Sequence, residues 1–491
     1  MPTALFGAAE VREFDRRAIE EQGIAGYKLM TRAGEAAFAV LRERWPSAKR
    51  VAVCCGVGNN AGDGYVVARL ARQAGFDVLV FAVGDPAALK GDAATARDDA
   101  RIAGIVEQSF DAGALHDVDV VVDALFGTGL DRPLSGHFAA AVNALNGAGR
   151  PVLALDIPSG LHADTGAVWG CAVRAEATVS FIGLKRGLFT HEGPSHGGAI
   201  YFSDLGVPRD VFSGIVASAR RIDYEGVKVF LGPRPRAAHK GRFGHVLVVG
   251  GAPGMSGAAR MAADAAARVG AGLVSVATHP QHTAFMNIDR PELMVHAVSD
   301  GRAVRDLLPR ANCVVIGPGL GQARWGNECL GAVLDSDLPL VVDADGLNLL
   351  AQESRKRENW VLTPHPGEAA RVLGCSAAEI NNDRFDAART LAERRGGVIV
   401  LKGAGSLVCD SPTAPVSVCV EGNPGMASGG MGDVLSGVIG GLIAQGFTLE
   451  AAARIGVCLH GEAGDRAAMD GERGMLASDL LPHLRRVSNP Q

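Results

Sequence analysis

The sequence predicts an α/β protein made of two domains, each built on a mostly parallel sheet. Along 491 residues, apolar runs rich in β-branched residues alternate with Ala-rich segments of helical period. This alternation is typical of repeated β-α-β units, in which helices cover both faces of a parallel sheet. Glycine accounts for 65 residues and proline for only 23. We therefore expect ordered, Gly-rich loops and not disorder.

The first half of the chain carries the earlier of two strand series. A helical lead-in is predicted over residues 11–45. Short runs dominated by Val, Ile, Leu and Cys follow it, and their length and composition indicate buried strands. The predicted strands of this half span residues 51–55, 78–83, 118–123, 152–156 and 178–182.

A charged, weakly periodic segment separates this series from a second one. The stretch from Ser218 to Glu225 is rich in charge, and G-P-R-P-R follows it at Gly232, which predicts a domain boundary near residues 220–235. No fixed-period similarity relates the two halves. We expect two domains, over residues 1–220 and 225–491. The predicted strands of the second half span residues 245–250, 273–277, 313–316, 340–343, 361–363 and 398–401.

Composition and charge exclude several classes of protein. Hydrophobic residues make up 47% and charged residues 21% of the chain, which excludes a disordered or collagen-like protein. Lys and Arg number 48 against 53 for Asp and Glu, so the net charge is −5. Without a basic excess, a nucleic-acid partner is not expected.

Cysteine content and apolar segments predict the compartment. The nine cysteines are odd in number and contain no C-x-x-C pair, which favours reduced thiols in a reducing compartment. No secretory signal is visible in the first residues. The longest uncharged apolar stretch, residues 434–449, is shorter than a membrane span and is predicted to form a buried helix. We therefore expect a cytoplasmic protein with no membrane partner.

Polar side chains follow the first predicted strand. Residues 56–64 read G-V-G-N-N-A-G-D-G and lead into a helix predicted over residues 65–74. The spacing matches the G-x-G-x-x-[GA] of dinucleotide-binding loops, which is a weak signal by itself. Asn59, Asn60 and Asp63 add polar groups that a pyrophosphate loop does not need. A tight structural turn is the alternative.

Two further strands of the first half end in carboxylates. Asp123 is followed by A-L-F-G-T-G-L-D-R-P, and Asp156 is followed by I-P-S-G. Since parallel strands end at one edge of a sheet, oxygens of Asn60, Asp123 and Ser159 are expected to converge, where they could bind a monovalent or divalent cation. One carboxylate could instead act as a general base. Helix N-capping is the alternative for either Asp.

These three segments together resemble the NAD(P)H-hydrate epimerase family. The resemblance rests on G-x-G-N-N-x-G-D-G, D-x-x-F-G-T-G-L and D-I-P-S-G in this order, and it covers nearly all of the first 215 residues. It implies a Rossmann-like domain that interconverts the R and S forms of hydrated NADH and NADPH (NADHX and NADPHX) at C6 of the nicotinamide ring. It further implies potassium bound by Asn60, Asp123 and Ser159. Asp123 would be catalytic, either through potassium or by transferring the proton.

The same resemblance implies a set of substrate-binding positions in the first half. They lie in the segment after the first strand, in the segment after Asp123, and at the end of the fourth strand. The residues are Asn59, Asn60, Ala61, Gly62, Asp63, Gly127, Thr128, Gly129, Leu130, Asp131, Arg132, Pro133 and Asp156.

The most specific signal of the second half precedes its apolar helix. Residues 423–433 read N-P-G-M-A-S-G-G-M-G-D and run into a helix predicted over residues 434–444. Glycines at a helix start leave N–H groups free to bind an anion such as a phosphoryl group. Asp433 beside them could take a proton from an attacking hydroxyl. A Gly-rich packing turn is the alternative.

Other predicted strands of this half end in Gly-rich or polar segments. G-G-A-P-G-M-S-G-A begins at Gly250, G-P-G-L-G at Gly317 and K-G-A-G-S at Lys402, while D-A-D-G-L-N and T-P-H-P-G-E follow two more strands. Each could be a turn, but together they predict a cleft for a nucleotide and a second substrate. His365 considered alone would be a structural histidine.

The second-half motifs together resemble the NAD(P)H-hydrate dehydratase family. This resemblance implies a ribokinase-like domain that uses ADP or ATP to remove water from the S hydrate, by phosphorylating the C6 hydroxyl and eliminating phosphate. Asp433 would be the catalytic base, and magnesium with the Gly430–Gly432 backbone would stabilise the transferred phosphate. Met431 stands where the family usually has threonine. The implied hydrate-binding residues are Ala258, Gly319, His365 and Asp433, and the implied nucleotide-binding residues are Lys402, Gly403, Ala404, Gly405, Ser406 and Gly432.

The two resemblances predict one bifunctional NAD(P)H-hydrate repair enzyme. Hydration would give both C6 epimers, whereas a kinase-like site accepts one orientation of the hydroxyl, so an attached epimerase removes that bottleneck. The expected partners are the small molecules NADHX, NADPHX and ADP or ATP. The residues do not fix the preferred nucleotide or hydrate. A homo-oligomer is also expected, but no motif specifies the number of subunits.

Two other functions stay open from the sequence. The second half could be an ordinary vitamin or sugar kinase of the ribokinase group, which would give a stable phosphorylated product. The first half could be a non-catalytic module that binds a nucleotide or another protein.

Overall fold

The computed structural model describes residues 1–490 and divides into two compact units, Met1–Arg220 (unit 1) and a second that begins at Arg221 (unit 2). Each unit is built on a mostly parallel sheet whose strands alternate with helices along the chain. The predicted α/β class is confirmed. Among residues 1–490, none of the helices is both long enough and apolar enough to cross a bilayer.

Seven parallel strands form the sheet of unit 1, in the order β4-β3-β2-β5-β6-β7-β8. The short strand β1 pairs antiparallel with the first two residues of β9. The strands and α-helices that begin in unit 1 are β1 (Ala4–Leu5), α1 (Ala8–Glu20), α2 (Gly26–Arg44), β2 (Arg50–Cys55), α3 (Asn59–Gln73), β3 (Asp77–Ala82), α4 (Gly91–Ile102), β4 (Glu107–Ser109), β5 (Val120–Ala124), α5 (Gly136–Gly147), β6 (Val152–Leu155), β7 (Ala177–Phe181), α6 (Gly193–Gly197), β8 (Ala199–Ser203) and β9 (Ala219–Ile222).

Alternation along β2 divides the core of unit 1 between the two faces of its sheet. Val51, Val53 and Cys55 pack in one cluster with side chains of α1 to α4, while Ala52 and Cys54 pack in another with side chains of α5. All five are fully buried. This burial on both faces explains why the strand reads as a continuous apolar run.

The sheet of unit 2 contains seven parallel strands in the order β12-β11-β10-β13-β14-β15-β16, and β17 and β18 extend it antiparallel beyond β16. The strands and α-helices of unit 2 are α7 (Tyr224–Val227), β10 (His245–Val249), α8 (Ser256–Arg268), β11 (Leu273–Thr278), β12 (Met294–Ala297), α9 (Gly301–Arg305), β13 (Cys313–Ile316), α10 (Arg324–Leu334), β14 (Leu340–Val342), α11 (Ala344–Leu350), β15 (Trp360–Leu362), α12 (Pro366–Leu373), α13 (Ala377–Asn382), α14 (Arg384–Arg395), β16 (Val398–Leu401), β17 (Leu407–Cys409), β18 (Val416–Cys419), α15 (Met431–Ala444), α16 (Leu449–Ala467) and α17 (Leu480–Val487).

Every strand predicted from the sequence is present, but shorter ones were missed. Strands β4 and β12 are short edge strands of three and four residues that lack an apolar run. The sequence also did not predict β1, β8, β9 or the antiparallel pair β17 and β18. The lead-in predicted over residues 11–45 is two helices, because the chain turns between α1 and α2 at Gly23, whose φ is +65°.

Two predicted helix starts are wrong, and both lie at the Gly-rich motifs. Helix α3 begins at Asn59, not at residue 65, with Gly58 as its N-cap. Helix α15 begins at Met431, not at residue 434, after Gly430 turns the chain with a φ of +92°. The polar motif residues were expected in loops, yet they occupy the first turns of these helices, where backbone N–H groups are free.

Helix α15 is the buried helix predicted from the apolar stretch, and it packs against α8 through glycines. A Cβ added at Gly437 would lie 2.0 Å from the Ala262 carbonyl oxygen, and one at Gly441 would lie 2.8 Å from that of Ala266. A spacing of four residues places both glycines on one face of α15. This close backbone approach holds the first turn of α15 at the edge of the sheet.

We expect Gly437→Ala to lower the unfolding free energy by about 1–3 kcal/mol, because the added methyl overpacks the α8 contact. Helix propensity alone would change it by about 1 kcal/mol in the opposite direction. Gly331→Ala in α10 is the matched control, since its Cβ would meet nothing within 4 Å. It should stabilise the protein in urea-induced unfolding. A stabilising Gly437→Ala would contradict the packing argument.

Candidate functional site

The carboxyl edge of the unit 1 sheet gathers the residues that the motifs single out. Strand β5 ends one residue after Asp123, β6 is followed directly by Asp156, and β2 leads into α3. Because β2, β5 and β6 are neighbours in the sheet, these ends lie side by side. The first turn of α3 supplies Asn59, Asn60, Ala61, Gly62 and Asp63 to this edge.

Asp123 is a fully buried carboxylate held by Ser159. The backbone N–H and the hydroxyl of Ser159 donate to its two oxygens at 2.8 and 2.7 Å, and Leu125 N donates at 3.2 Å. Burial raises the pKa of Asp123 to about 6, although these hydrogen bonds oppose the shift. With this pKa, the Asp123 carboxyl can exchange a proton near neutral pH, and a cation bound beside it would favour its ionised form.

Asn60 contributes an amide without an internal partner. Its side chain is 6% exposed, and neither Oδ1 nor Nδ2 forms a hydrogen bond among the described residues. Leaving such a group unsatisfied costs about 1–3 kcal/mol, so its conformation suits a ligand. Asn60, Asp123 and Ser159 offer amide, carboxylate and hydroxyl oxygens, which are the donors that a hard cation prefers. This set fits potassium.

Asp156 faces two partners from neighbouring strand ends. Its φ of +68° is rare for a residue other than glycine. The Lys185 ammonium donates to Oδ1, and Thr128 N donates to Oδ2 at 3.3 Å. Asp156 Oδ2 and Asn60 also meet at Gly127, where a Cβ would lie 3.1 Å from the former and 3.7 Å from the Cγ of the latter.

The segment after Asp123 reaches this site only at its beginning. Gly127 and Thr128 contact Asp156, as described, and Arg12 Nη1 donates to the Thr128 carbonyl at 3.4 Å. The remaining predicted substrate-binding residues are exposed or half-buried, and no contact places them against Asp123 or Asp156 among the described residues. They are Gly129, Leu130, Asp131, Arg132 and Pro133.

Sequence reasoning missed Lys185 and Asp15 in unit 1. Lys185 follows β7, so the rule that strand ends carry function could have found it. Asp15 lies in α1, and its approach to Asp156 and Lys185 depends on helix packing that no local pattern reveals. Burial raises the pKa of Asp15 to about 6, with Lys185 opposing and Asp156 reinforcing the shift.

In unit 2, the N-terminus of α15 forms the centre of the second site. Gly430, at its N-cap, and the residues up to Asp433 present backbone N–H groups that have no partner within the helix. The helix dipole adds partial positive charge at the same place. Met431 is 6% exposed and directs its side chain into the core, while Gly432 faces Lys402. This end of α15 suits a phosphoryl group.

The Lys402 ammonium lies between the N-terminus of α15 and the buried carboxylates of Asp343 and Glu368. Its Nζ donates to Asp343 Oδ1 at 2.7 Å, lies 3.6 Å from Glu368 Oε2, and would lie 3.1 Å from a Cβ at Gly432. Burial opposes its charge, but Asp343 and Glu368 outweigh burial and raise the pKa of Lys402. The ammonium is therefore charged and directed at the anion site.

The carboxylates near Lys402 fit a magnesium ion. Asp343 is 1% exposed, and its Oδ2 has no hydrogen-bond partner among the described residues. Glu368 is also buried. Carboxylate oxygens beside a phosphate site are the usual protein ligands of magnesium.

Asp433 titrates near neutral pH. Burial, together with the negative charges of Asp343 and Glu368, raises its pKa to about 7, while Lys402 opposes the shift. A carboxyl with this pKa, in the helix turn that forms the anion site, suits proton transfer at physiological pH. Both carboxyls that the sequence predicts to be catalytic, Asp123 and Asp433, thus have raised pKa values.

The structure brings together two of the predicted hydrate-binding residues and places His365 at a helix start. Gly319, with a φ of +57°, lies against α8, where a Cβ would come 3.2 Å from that of Ala258. His365 is the N-cap of α12: its Nδ1 accepts from Gly367 N at 3.0 Å, and its Nε2 lies 3.5 Å from Glu368 Oε1. His365 therefore caps a helix, which is the structural role that the sequence analysis considered for it.

The predicted nucleotide segment, Lys402 followed by Gly403, Ala404, Gly405 and Ser406, is a tight turn after β16. Gly403 and Ser406 bond each other twice, at 3.3 and 3.1 Å. Sequence reasoning did not single out Arg384, which stabilises this turn. It donates hydrogen bonds to the carbonyls of Leu401 and Lys402 at 3.2 Å each. Arg384 is 2% exposed, and a Cβ at Gly403 would lie 2.6 Å from its Nη1.

His460 is a second residue of unit 2 that was missed. It lies in α16 and is buried, and its Nε2 has no hydrogen-bond partner among the described residues. Burial lowers the pKa of His460 to about 4, a hydrogen bond with the Met431 backbone opposes this shift, and the Lys402 charge reinforces it. A neutral imidazole therefore supports the first turn of α15.

Two family models match the chain, one in each half. A model described as NAD(P)H-hydrate dehydratase matches residues 246–486, and one described as YjeF-related protein N-terminus matches residues 26–187.

Relatives are similar over the whole chain. The bifunctional NAD(P)H-hydrate repair enzyme Nnr of Coxiella burnetii is 50% identical over 99% of this chain and 100% of its own length. The enzyme of the same name from Escherichia coli is 44% identical over 100% of this chain and 95% of its own length.

Solved structures resemble the second half. The ADP/ATP-dependent NAD(P)H-hydrate dehydratase of Bacillus subtilis, co-crystallised with ATP and Mg²⁺, is 30% identical with a TM-score of 0.50, covering 54% of this chain and 95% of that one. A ribokinase-like superfamily protein of Enterococcus faecalis is 28% identical with a TM-score of 0.51, covering 56% of this chain and 96% of that one.

The buried Asp123 gives a pH-dependent stability that can be measured without substrate. Its folded pKa of about 6 lies above the usual Asp value of 3.8, so the folded state retains a proton that the unfolded chain loses. Relative to Asp123→Asn, the unmodified protein should lose stability as pH rises from about 4 to about 6, by about 3 kcal/mol in total. Urea unfolding in potassium-free buffer measures this difference.

Asp119→Asn is the control for this experiment, because backbone N–H groups of Lys49 and Arg50 lower the pKa of the exposed Asp119. Relative to that variant, the unmodified protein should gain stability as pH rises. The same pH dependence for both comparisons would refute the assignment of the raised pKa to Asp123.

Proposed function

The chain belongs to the family of bifunctional NAD(P)H-hydrate repair enzymes, and from this premise we propose how its two units divide the repair of hydrated NADH and NADPH. Unit 1 exchanges the R and S epimers of NAD(P)HX at C6. Unit 2 removes water from the S epimer and returns NAD(P)H, at the expense of ADP, which gives AMP and phosphate, or of ATP.

The observation that carries the dehydratase role is the position of Asp433. Its carboxyl, with a pKa of about 7, lies in the first turn of α15 beside the free N–H groups of Gly430–Gly432 and the Lys402 ammonium. Asp433 takes the proton from the C6 hydroxyl as that oxygen attacks the terminal phosphoryl group. The helix N-terminus and Lys402 stabilise the negative charge of the transferred group.

Other residues of unit 2 position the reactants for this step. Ala258, Gly319 and His365 line the hydrate side, and Lys402 to Ser406 with Gly432 hold the nucleotide. Magnesium held by Asp343 and Glu368 would supply charge neutralisation of the phosphates. Phosphate then leaves C6 with the electrons of the C6–O bond, and C5 loses a proton to water, which forms the C5=C6 double bond of NAD(P)H.

In unit 1, the first turn of α3 with Gly127, Thr128 and Asp156 binds the hydrate. The orphaned amide of Asn60 supports a ligand at this place. Asn60, Asp123 and Ser159 are the proposed potassium ligands, and the ion would supply positive charge beside the bound substrate. The rest of the segment up to Pro133 also binds the substrate in this proposal.

Location and assembly are also proposals. All nine cysteines are unpaired, which supports a reducing compartment, and we place the protein in the cytoplasm. We propose a homo-oligomer whose partners are its small-molecule substrates, without nucleic acid or membrane. The ordinary-kinase alternative is not favoured, because relatives that match the full length are repair enzymes.

One absorbance experiment tests both activities. Purified protein is mixed with R and S NADHX and with ADP, ATP or no nucleotide, and reduced nicotinamide is followed by its absorbance. Full recovery with one nucleotide is the expected result and identifies the phosphoryl donor. Recovery that stops at the S fraction would refute the epimerase role, and a stable phosphorylated product would favour the kinase alternative.

Asp433→Asn should lower kcat for dehydration of the S hydrate by at least about a hundredfold, since a positioned base contributes 10²–10⁴. For the unmodified protein, kcat/KM should rise with pH through about 7, because the base must be ionised. R-to-S exchange by unit 1 is the internal control, and exposed Asp335→Asn is the matched variant. Normal turnover by Asp433→Asn would eliminate the proposed base.

Asp123→Ala should reduce epimer exchange at least tenfold at any potassium concentration. In the unmodified protein, exchange should increase with potassium and saturate, with sodium and tetramethylammonium as controls. Potassium should also raise the Tm of the unmodified protein but not that of Asp123→Ala, since a ligand stabilises the state that binds it. Unchanged exchange in Asp123→Ala would contradict both roles proposed for this residue.

A further inference from the structure

Lys185 is the most deeply buried cation of unit 1, and it belongs to no motif used above. Its side chain is 0% exposed. The ammonium donates to Asp156 Oδ1 and to the Phe181 carbonyl at 2.9 Å. Burying a charged amine is costly unless it is paired, and Asp156 supplies the opposite charge. Lys185 therefore holds the orientation of Asp156.

The backbone on both sides of this ion pair adopts an unusual conformation. Asp156 follows β6 with a φ of +68°, and Ile182 follows the adjacent strand β7 with a φ of +55°. Such left-handed conformations of non-glycine residues are strained and cluster at functional sites. Here they turn the two chain segments so that Asp156 and Lys185 meet at the carboxyl edge of the sheet.

The second oxygen of Asp156 points the other way, toward the proposed substrate site. Oδ2 accepts from Thr128 N and lies against Gly127, next to Asn60. The Asp156 carboxylate thus contacts the buried Lys185 ammonium through Oδ1 and the proposed hydrate-binding segment through Oδ2. Its side chain is 15% exposed, so the outer side is open to a ligand.

Further ionisable groups face this pair from two helices. Asp15 of α1 and Asp63 of α3 both interact with Asp156 and Lys185, and burial raises the pKa of each, that of Asp63 well above its usual value. Arg12 of α1 reaches the Thr128 carbonyl on the exposed side. Two further carboxyl groups therefore interact electrostatically with the Asp156–Lys185 pair.

We propose that Asp156 is the catalytic residue that carries the proton to and from the C6 oxygen of the hydrate, and that Lys185 is the positioning residue that holds it there. The inference rests on the proposed epimerase function of unit 1. It assigns proton transfer to Asp156 in addition to substrate binding. Of the two roles considered for Asp123, it keeps potassium binding and excludes proton transfer.

The step balances without any other reactant. A protonated carboxyl gives its proton to the C6 hydroxyl, the C6–O bond breaks with its electrons on oxygen, and water leaves as the N1 lone pair forms a C6=N1 bond. Water then adds to the opposite face of C6, the π electrons return to N1, and the carboxylate takes back the proton. No net proton or electron is consumed.

The test begins with Lys185→Met and Lys185→Arg. Lys185→Met should lower kcat for epimer exchange by about 10²–10⁴, the range for a lost proton-transfer group, with KM changed less than about threefold. Lys185→Arg keeps the cation and should recover most of the lost kcat. Exposed Lys28→Met is the matched control. A normal kcat in Lys185→Met, or a loss confined to KM, would overturn the proposal.

A double-mutant cycle covers the case in which Lys185→Met fails to fold. Asp156→Asn with Lys185→Met removes both buried charges together, which is far less destabilising than removing one. If Lys185 acts only through Asp156, the double variant should exchange epimers at the rate of Asp156→Asn alone. A further loss that multiplies the two single effects would overturn the positioning role.

Two measurements separate this inference from the proposed function. Dehydration of the S hydrate by unit 2 should be normal in every variant. If the unmodified protein does not exchange epimers at all, the proposed function of unit 1 fails, and not merely the role of Lys185. Enzymatic exchange in ¹⁸O-water should place label at the C6 hydroxyl above the uncatalysed background, and exchange without label would overturn the step.

Discussion

A parallel sheet brings every strand end of one polarity to a single edge, and both sites of this protein depend on charge buried at such an edge. Asp123 and Asp156 lie there in unit 1, and Asp343 lies there in unit 2. An isolated buried carboxylate is unstable, so each site needs nearby cations, hydroxyls or helix N-termini. The first turns of α3 and α15, together with Lys185 and Lys402, supply them.

The two units use this edge differently, and the position of the lysine makes the difference. In unit 1, Lys185 is enclosed behind Asp156, with Asp15 and Asp63 nearby, so its charge is directed at carboxyl groups. In unit 2, Lys402 stands between Asp343 and the N-terminus of α15, so its charge also reaches the anion site. The first arrangement favours proton movement among acids, whereas the second favours binding of a phosphoryl group.

Much of this architecture could be predicted from the sequence, because strands buried on both faces are continuous apolar runs that end in polar motifs. The α/β class and the family resemblance are confirmed, the latter by relatives matched over the full chain. Asp123 and Asp433 were singled out because the first ends a predicted strand and the second ends a Gly-rich motif. Asp15, Arg384 and His460 were not, because each lies on a helix whose partners are set by tertiary packing. The helix starts at Asn59 and Met431 were missed for another reason: Gly and Asn have low helix propensity, which tertiary contacts override here.

Met431 shows that one position of a binding motif can be governed by the interior of the protein. Its backbone N–H belongs to the turn that faces the anion, but its side chain is buried with the core around α8 and α16. In the proposed site, ligand and core therefore make independent demands on this residue: the ligand would contact only its peptide group, and the core specifies its side chain. The residue type at this position of the motif consequently depends on the volume of the hydrophobic core around it.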